Sequence, residues 1–377
     1  LPATIEREFT DGATAIVRGA LAAGCNFFAG YPITPASPIL MMMLRDLPAH
    51  GGVGMQGEDE IASIGMCIGA SMAGARAMTA TAGPGISLYS ENIGLAVMGE
   101  VPLVIVDVQR LGPSTGAATT TAQGDVQFVR WGTAGGFPII ALCPSSIAEC
   151  YTMTMKAFDL AERFRCPVFL MADKELALTT RSVDPAGYVD HPVRERPIVD
   201  PNDENPPPEY RYDPPGEVVP MQLYGGKHPV RFTGSTHDEQ AFITKKPGIV
   251  GPLNEHLVRK ITDHLEEIET VATDIEDGAA TLLLSYGVTA GSVREAVAAA
   301  RAGGRSVSAI TVKSLWPIPE DAIRKAAAGV SRVVVAELNP GLYRREIERV
   351  LPDVEIIGIG RTDGVLVSPS QLLEAIG

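Results

Sequence analysis

The sequence predicts an α/β protein built from two doubly wound parallel-sheet units joined by a proline-rich extended arm. Three observations carry that prediction. Short apolar runs alternate with stretches of helical period from Thr10 to Met171, and again from Ala280 to Ile376, the pattern of a parallel sheet covered by helices on both faces. Val101–Val108 is almost wholly apolar, as a strand buried on both faces should be. Between the two alternating regions the composition shifts, and 13 of the 29 prolines fall between Asp184 and Pro252. The expected divisions are 1–180, 181–275 and 276–377.

Along the chain, Ala13, Ile16, Val17, Ala20 and Leu21 recur at helical spacing, and Gly24 closes that helix. Asn26–Gly30 reads as a short buried strand. In the following Tyr31-Pro32-Ile33-Thr34-Pro35-Ala36-Ser37-Pro38, three prolines stiffen the loop and hold Tyr31, Thr34 and Ser37. Thr34-Pro35 reads as N-cap and first residue of a helix running to Leu47. Gly51–Gln56 is a second strand, and Glu58–Ala75 is a helix rich in small residues. Ala77–Ala80 is a third strand, Gly83-Pro84-Gly85 a turn, and Ile86–Met98 a helix. After the central strand come strand Pro138–Leu142, helix Ser145–Phe164 and strand Pro167–Met171.

The arm holds Tyr210, Tyr212, Met221, Leu223, Tyr224 and Phe232. These are too many large apolar groups for a free tether, so the arm is expected to lie over a partner or over its own domain. Leu253–Val271 reads as a helix with Arg259, Lys260, Glu266 and Glu267 on one charged face. In the second unit, strands at Ala280–Tyr286, Ser306–Val312, Arg332–Leu338 and Val354–Ile359 alternate with helices at Ala290–Ala302, Pro319–Ala328, Gly341–Leu351 and Pro369–Ile376.

Composition excludes several function classes. The hydrophobic share is 45% and the net charge −14, with no cluster of Lys and Arg among aromatics, so nucleic acid is not an expected partner. No apolar run is long enough to span a bilayer. There is no charged-then-apolar leader, which makes the cytoplasm the expected compartment. The chain starts at Leu1 rather than a methionine, so whether residues precede it stays open. Cys25, Cys67, Cys143, Cys150 and Cys166 are scattered through apolar segments and read as buried reduced thiols. With no Cys-x-x-Cys, no iron–sulfur or structural zinc motif is legible. His237-Asp238-Glu239 lie adjacent on an extended stretch and do not converge, so no metal site is expected. Neither unit carries a G-x-G-x-x-G or G-x-x-x-x-G-K-[ST] phosphate cradle.

Four features fall at the C-terminal ends of expected strands, where open α/β sheets bind ligands: the Tyr31–Pro35 loop, Glu58, the Gly83-Pro84-Gly85 turn, and Arg110 with Gly112-Pro113-Ser114-Thr115-Gly116. Each has a plainer reading. Thr34 could be only a cap, Glu58 an acid favouring a helix start, Arg110 a surface ion-pair partner, and Ser114 and Thr115 turn residues.

In order and spacing, Tyr31-Pro32-Ile33-Thr34-Pro35, Gln56-Gly57-Glu58-Asp59-Glu60, Gly83-Pro84-Gly85 and Gln109-Arg110 with Gly112–Gly116 resemble the α subunit of 2-oxoacid:ferredoxin oxidoreductases, the 2-oxoglutarate type most of all. Phe232–Glu239 in the arm and Glu337-Leu338-Asn339-Pro340-Gly341 in the second unit extend the resemblance over nearly the whole chain. It implies a thiamine diphosphate pyrimidine-binding domain followed by a smaller transketolase C-terminal-like domain, and a coenzyme A-dependent oxidative decarboxylation of a 2-oxoacid. By resemblance, Glu58 is the catalytic carboxyl against N1′ of the aminopyrimidine, which calls for a dry pocket and a raised pKa. Thr34 contacts the substrate near its oxo group, and Arg110 takes the C1 carboxylate with its planar guanidinium. Tyr31, Pro32, Ile33, Gly83 and Pro84 belong to the cofactor wall.

Gly124-Asp125-Val126 does not match the Gly-Asp-Gly motif that holds the diphosphate through Mg²⁺. The resemblance therefore implies a β subunit carrying Mg²⁺ and a [4Fe–4S] cluster, ferredoxin as electron acceptor, coenzyme A as cosubstrate, and a dimer of heterodimers. A γ domain, fused in some relatives, is expected as a separate subunit if present. Leu111 stands where relatives carry a second glycine, and Thr119-Thr120-Thr121 where they often carry a lysine, so that lysine's role in holding substrate or coenzyme A has no counterpart here. Pyruvate, branched-chain and aryl 2-oxoacids remain alternative substrates, and a non-catalytic scaffold subunit is the alternative from another class.

Overall fold

The computed structural model describes residues 7–376; Leu1 lies outside them. In the first unit, β1 (Glu8–Thr10) leads to α1 (Gly12–Ala22), β2 (Phe27–Gly30), α2 (Ser37–Asp46), β3 (Val53–Gln56), α3 (Glu60–Met72) and β4 (Ala77–Thr81). Then come α4 (Gly83–Met98), β5 (Leu103–Gln109), α5 (Val126–Trp131), β6 (Ile140–Leu142), α6 (Ile147–Phe164), β7 (Pro167–Asp173), α7 (Lys174–Leu178) and β8 (Arg181–Val183). The helices start where side chains can satisfy free amides: Asp11 accepts from Thr14, Asp59 from Ala62 and Ser146 from Glu149. β5 is buried along its whole length and sits fourth of seven in the main sheet, as its apolar run predicts.

The second unit follows α8 (Pro247–Thr262) and α9 (Leu265–Ile268). It holds β9 (Val271–Asp274), β10 (Thr281–Ser285), α10 (Thr289–Ala302), β11 (Val307–Val312), β12 (Ser314–Trp316), α11 (Glu320–Ala326), β13 (Arg332–Glu337), α12 (Arg344–Val350), β14 (Glu355–Gly360) and α13 (Pro369–Ile376).

The main sheet runs β12-β6-β7-β5-β4-β2-β3 and the second β14-β13-β10-β11-β9. Neither is purely parallel. β12 pairs antiparallel with β6, and β9 antiparallel with β11. The second unit thus lends an edge strand to the first unit's sheet, and the Trp316 indole donates to the Val126 carbonyl at 3.0 Å to anchor it. The two units therefore meet through a shared sheet as well as through side chains.

Three sequence expectations shift. Leu253–Val271 is not one helix: α8 ends at Thr262, α9 is a separate turn and Val271 begins β9. Lys260 does not face solvent; it is buried, with its ammonium 2.9 Å from Glu100. Pairing with a buried acid outweighs the surface preference of lysine. Gly83-Pro84-Gly85 is the first turn of α4 rather than a free turn, because proline is tolerated where no amide is needed.

The arm lies over its own domain. Tyr210 and Tyr212 pack with Leu253 and Leu257 of α8, and the Phe232 ring lies against Gly99, where a Cβ would be 1.8 Å away. Beneath the arm, buried Arg165 donates to the carbonyls of Glu100 and Val219 and to the Glu209 carboxylate. All five cysteines are free and buried.

Candidate functional site

β2, β4 and β5 end side by side, and the segments that follow them build the site. The carbonyl of Gly30, last residue of β2, accepts from the Gly57 amide at 2.9 Å, one step beyond β3. A Cβ on Gly57 would stand 2.1 Å from Ser63 Oγ, so glycine lets this segment close onto the first turn of α3. Glu58 comes next, ahead of the Asp59 cap, and is therefore outside α3 and exposed. The dry pocket expected around it is not formed by this chain alone. Met55, Ile61 and Tyr31 are exposed too, and so is Leu88 on α4, one turn before Asn92, whose amide donates to the Ile61 carbonyl. This wall is apolar and uncovered. Glu60, by contrast, is buried, its Cγ 3.0 Å from where a Gly85 Cβ would be.

Thr34 does not cap a helix. The Thr34–Pro35 peptide is cis, the Ser37 amide donates to the Ile33 carbonyl at 2.9 Å, and α2 starts at Ser37 with Pro38 in its first turn and no side-chain cap. Ala36 stands at the N-cap, and Ser37-Pro38, three residues on, opens the helix in place of Thr34-Pro35. The Thr34 hydroxyl is left free of the helix, and its carbonyl accepts from Arg110 Nη1 at 2.5 Å.

Arg110 follows β5 directly and is 6% exposed, which rules out a surface ion pair. Its Nη2 donates to the Thr115 carbonyl at 3.0 Å, and its Nε has no partner. One guanidinium thereby ties the Tyr31–Pro35 loop to the Gly112–Gly116 loop and still has a buried donor to offer. It lines a 490 Å³ cleft with Gly83, Pro84, Ser114, Asp125 and Asn339. Asn339 reaches it because its amide nitrogen donates to the Gln123 carbonyl, while Gln123 Oε1 accepts from the Leu338 amide at 2.9 Å. Gln123 Nε2 also donates to Asp173 and to the Tyr286 carbonyl, each at 3.2 Å. Burial pushes the Asp173 carboxyl up to about 7, with the Val288 amide and Gln123 pulling it back.

The structure thus brings together Thr34, Arg110, Gly83 and Pro84, with Glu58 and Tyr31 on the adjoining exposed wall. Four polar residues near the site have no role assigned from sequence: Asp107, Gln123, Asp125 and Glu60. A signal existed for one of them, since Asp107 breaks the apolar run of β5. Gln123 and Asp125 sit in a stretch without period, where Gly124-Asp125-Val126 fails the Gly-Asp-Gly pattern and nothing else local marks them. Among the described residues no group of three or more His, Cys, Asp or Glu converges as a metal site.

Comparison with known proteins places these features in context. The family described as pyruvate flavodoxin/ferredoxin oxidoreductase, thiamine diphosphate-binding, matches residues 18–249, and pyruvate:ferredoxin oxidoreductase core domain II matches 279–372. A 2-oxoglutarate synthase subunit KorA of Methanocaldococcus jannaschii is 40% identical over 98% of this chain and 99% of its own length. A ketoisovalerate oxidoreductase subunit VorB of Methanothermobacter thermautotrophicus is 34% identical over 98% of this chain and 97% of its own. Among solved structures, 2-oxoglutarate:ferredoxin oxidoreductase from Magnetococcus marinus, with 2-oxoglutarate, coenzyme A and succinyl-CoA bound, superposes with a TM-score of 0.92 at 31% identity. It matches 98% of this chain, which spans 64% of that longer chain. A split-gene transketolase, at 14% identity and a TM-score of 0.55, shares the fold.

Proposed function

The chain belongs to the pyruvate flavodoxin/ferredoxin oxidoreductase family of thiamine diphosphate-binding proteins, and we propose that it is the α subunit of a 2-oxoacid:ferredoxin oxidoreductase acting on 2-oxoglutarate. The reaction is the coenzyme A-dependent conversion of 2-oxoglutarate to succinyl-CoA and carbon dioxide, with two electrons passed to ferredoxin. The observation that carries this reading is the buried Arg110, fixed by two carbonyls at the wall of a cleft and holding an unused Nε donor. A planar, permanently charged group so held is suited to a carboxylate. The relatives named as 2-oxoglutarate synthase subunits support the choice of acid.

The residues fit the pyrimidine half of thiamine diphosphate and not its diphosphate. Glu58 offers a carboxyl on an apolar wall of Tyr31, Met55, Ile61 and Leu88 that is exposed in the single chain. Covering that wall would take the Glu58 carboxyl out of water and leave it facing the ring. Nothing here matches the Gly-Asp-Gly motif for Mg²⁺, so a β subunit supplies Mg²⁺ and a [4Fe–4S] cluster. When bound, thiamine diphosphate supplies the electron sink for decarboxylation. Glu58 would hold a proton against the ring nitrogen N1′. Tyr31, Pro32, Ile33, Gly83 and Pro84 would seat the ring, Thr34 would bond the substrate beside its oxo group, and Arg110 would bind the C1 carboxylate. The assembly we propose is a dimer of heterodimers in the cytoplasm, joined by a γ subunit where one is encoded, with ferredoxin as its redox partner. Among the described residues no helix is long and apolar enough to cross a membrane.

A second reading keeps the chemistry and changes the acid, favoured by the ketoisovalerate relative. Viologen reduction by the αβ complex over a panel of 2-oxoglutarate, pyruvate, branched-chain and aryl 2-oxoacids separates the two. Glu58→Ala in the same complex is expected to lower turnover by about 10²-fold or more. Near-normal turnover of that variant would leave a scaffold subunit as the better account.

A further inference from the structure

On the face of the main sheet that carries Leu103 and Ile105, the apolar alternation of β5 gives way at its end to Asp107 and Gln109. Parallel pairing sets Thr81 beside Asp107 and Asp173 beside Gln109. Asp107 is fully buried, and no N–H or hydroxyl among the described residues reaches either of its oxygens. The Thr81 hydroxyl and the Gln109 amide nitrogen are likewise unpartnered. Asp125 stands at the N-cap of α5, where a carboxylate ordinarily accepts from helix amides, yet it makes no such bond. Its carboxyl lies against that of Asp107 instead. Two carboxyls in hydrogen-bonding contact need a proton between them. Asp125 also lines the cleft that Arg110 lines.

The charges of the pair and of Arg110 then sum to zero. The pair with one proton carries −1 and Arg110 carries +1, a balance that a buried site tolerates. An anion arriving at Arg110 breaks the balance. The least costly remedy is a second proton on the pair, and Asp125 is the member that faces the cleft and solvent.

We propose that anion binding at Arg110 is proton-linked, so that the substrate carboxylate and one proton bind together, the proton residing on the Asp125 carboxylate. One O–H bond forms there with a proton drawn from water or buffer, and no other bond is made or broken. The inference rests on the reading of Arg110 as the carboxylate anchor. The charged groups facing the pair are Arg110 beside Asp125 and Asp173 beside Asp107; Thr81 and Gln109 are neutral. Burial raises the Asp125 carboxyl to about 6, while the hydrogen bond with Asp107 and the charge of Arg110 hold it down. At pH 7 it is mostly ionised. A bound anion offsets Arg110 and lets it rise, so affinity for the anion should grow as pH falls from about 8 toward 6 and level off below.

The test uses the αβ complex loaded with cofactor and N-oxalylglycine, a 2-oxoglutarate isostere that cannot decarboxylate. Titration calorimetry at pH 7 in two buffers of different ionisation enthalpy reads the protons taken up. Uptake of about half a proton or more per site is expected, with the KM for 2-oxoglutarate falling by up to about tenfold per pH unit between pH 8 and 6. Asp125→Asn, which keeps the shape, should abolish both the uptake and the pH slope. Asp107→Asn should do the same, since its amide can donate to Asp125 and hold it ionised. Binding to the wild-type complex with identical heats in both buffers overturns the inference alone, as does uptake that persists in Asp125→Asn. No binding at all removes the reading of Arg110 and the inference with it. Should the variants fail to assemble, the wild-type measurement decides.

Discussion

Arg110 Nη1 donates to the carbonyl of Thr34 at 2.5 Å, across 76 residues of chain. The two residues that the family resemblance assigns to substrate are therefore in direct contact before any substrate is present. This contact uses the backbone of Thr34 and leaves its hydroxyl for other work.

Arg110→Lys tests whether shape or charge matters at that contact. An ammonium cannot span the carbonyls of Thr34 and Thr115 and also offer a donor where Nε now points. Charged hydrogen bonds are worth about 1.5–3 kcal/mol, so steady-state kinetics should show KM for the 2-oxoacid higher by about 10–100-fold. An unchanged KM would move the carboxylate site elsewhere.

Gly57→Ala tests the close approach that sets Glu58. Its Cβ would meet Ser63 Oγ at 2.1 Å, and overpacking of this kind costs about 1–3 kcal/mol. The melting temperature should drop and turnover with it. Adding Ser63→Ala removes the clashing oxygen and should restore most of both, which separates a steric cause from general damage.

Asp173 predicts a pH dependence of stability. Its folded carboxyl sits at about 7 against an ordinary 3.8 because it is buried. Between those values the unfolded chain has released the proton and the folded one still holds it. Raising the pH through that window therefore favours unfolding, and the contribution fully present below about 4 is lost by about 7. Melting curves of wild type and Asp173→Asn from pH 4 to 7.5 should diverge in that sense, the wild type losing stability relative to the variant as pH rises. Parallel curves would show that Asp173 is ionised throughout.

Arg165→Ala tests the clamp on the arm. The guanidinium is buried, and its bonds to Val219 and Glu209 tie that stretch of the arm to the α6–β7 corner, alongside the Arg196 pair with Glu162 of α6. Removing one partner of a buried ion pair leaves the other uncompensated, at a cost of about 3–5 kcal/mol. Limited proteolysis should cut within 201–246 much faster than in wild type. Equal rates would mean that the remaining contacts, among them the Tyr210 and Tyr212 packing, hold the arm without Arg165.

The alternation of apolar runs, the prolines and the composition break at the arm are local features. They were enough to read α/β architecture, most of the strands and helices, the buried thiols, and the loops that follow β2, β3, β4 and β5. The sequence motifs also pointed to Arg110 and Thr34, but not to the bond between them. That Lys260 pairs with Glu100, and that Ser314–Trp316 leaves its own unit to edge the other sheet, depended on neighbours far away in the chain. So did the meeting of Asp107 with Asp125, and of Gln123 with Asn339 across 216 residues. Backbone preference and side-chain period act over a few residues, so they can be read along the chain. Which charges share a proton, and which donors are left unused, is decided by groups that only folding makes neighbours in a medium with little water.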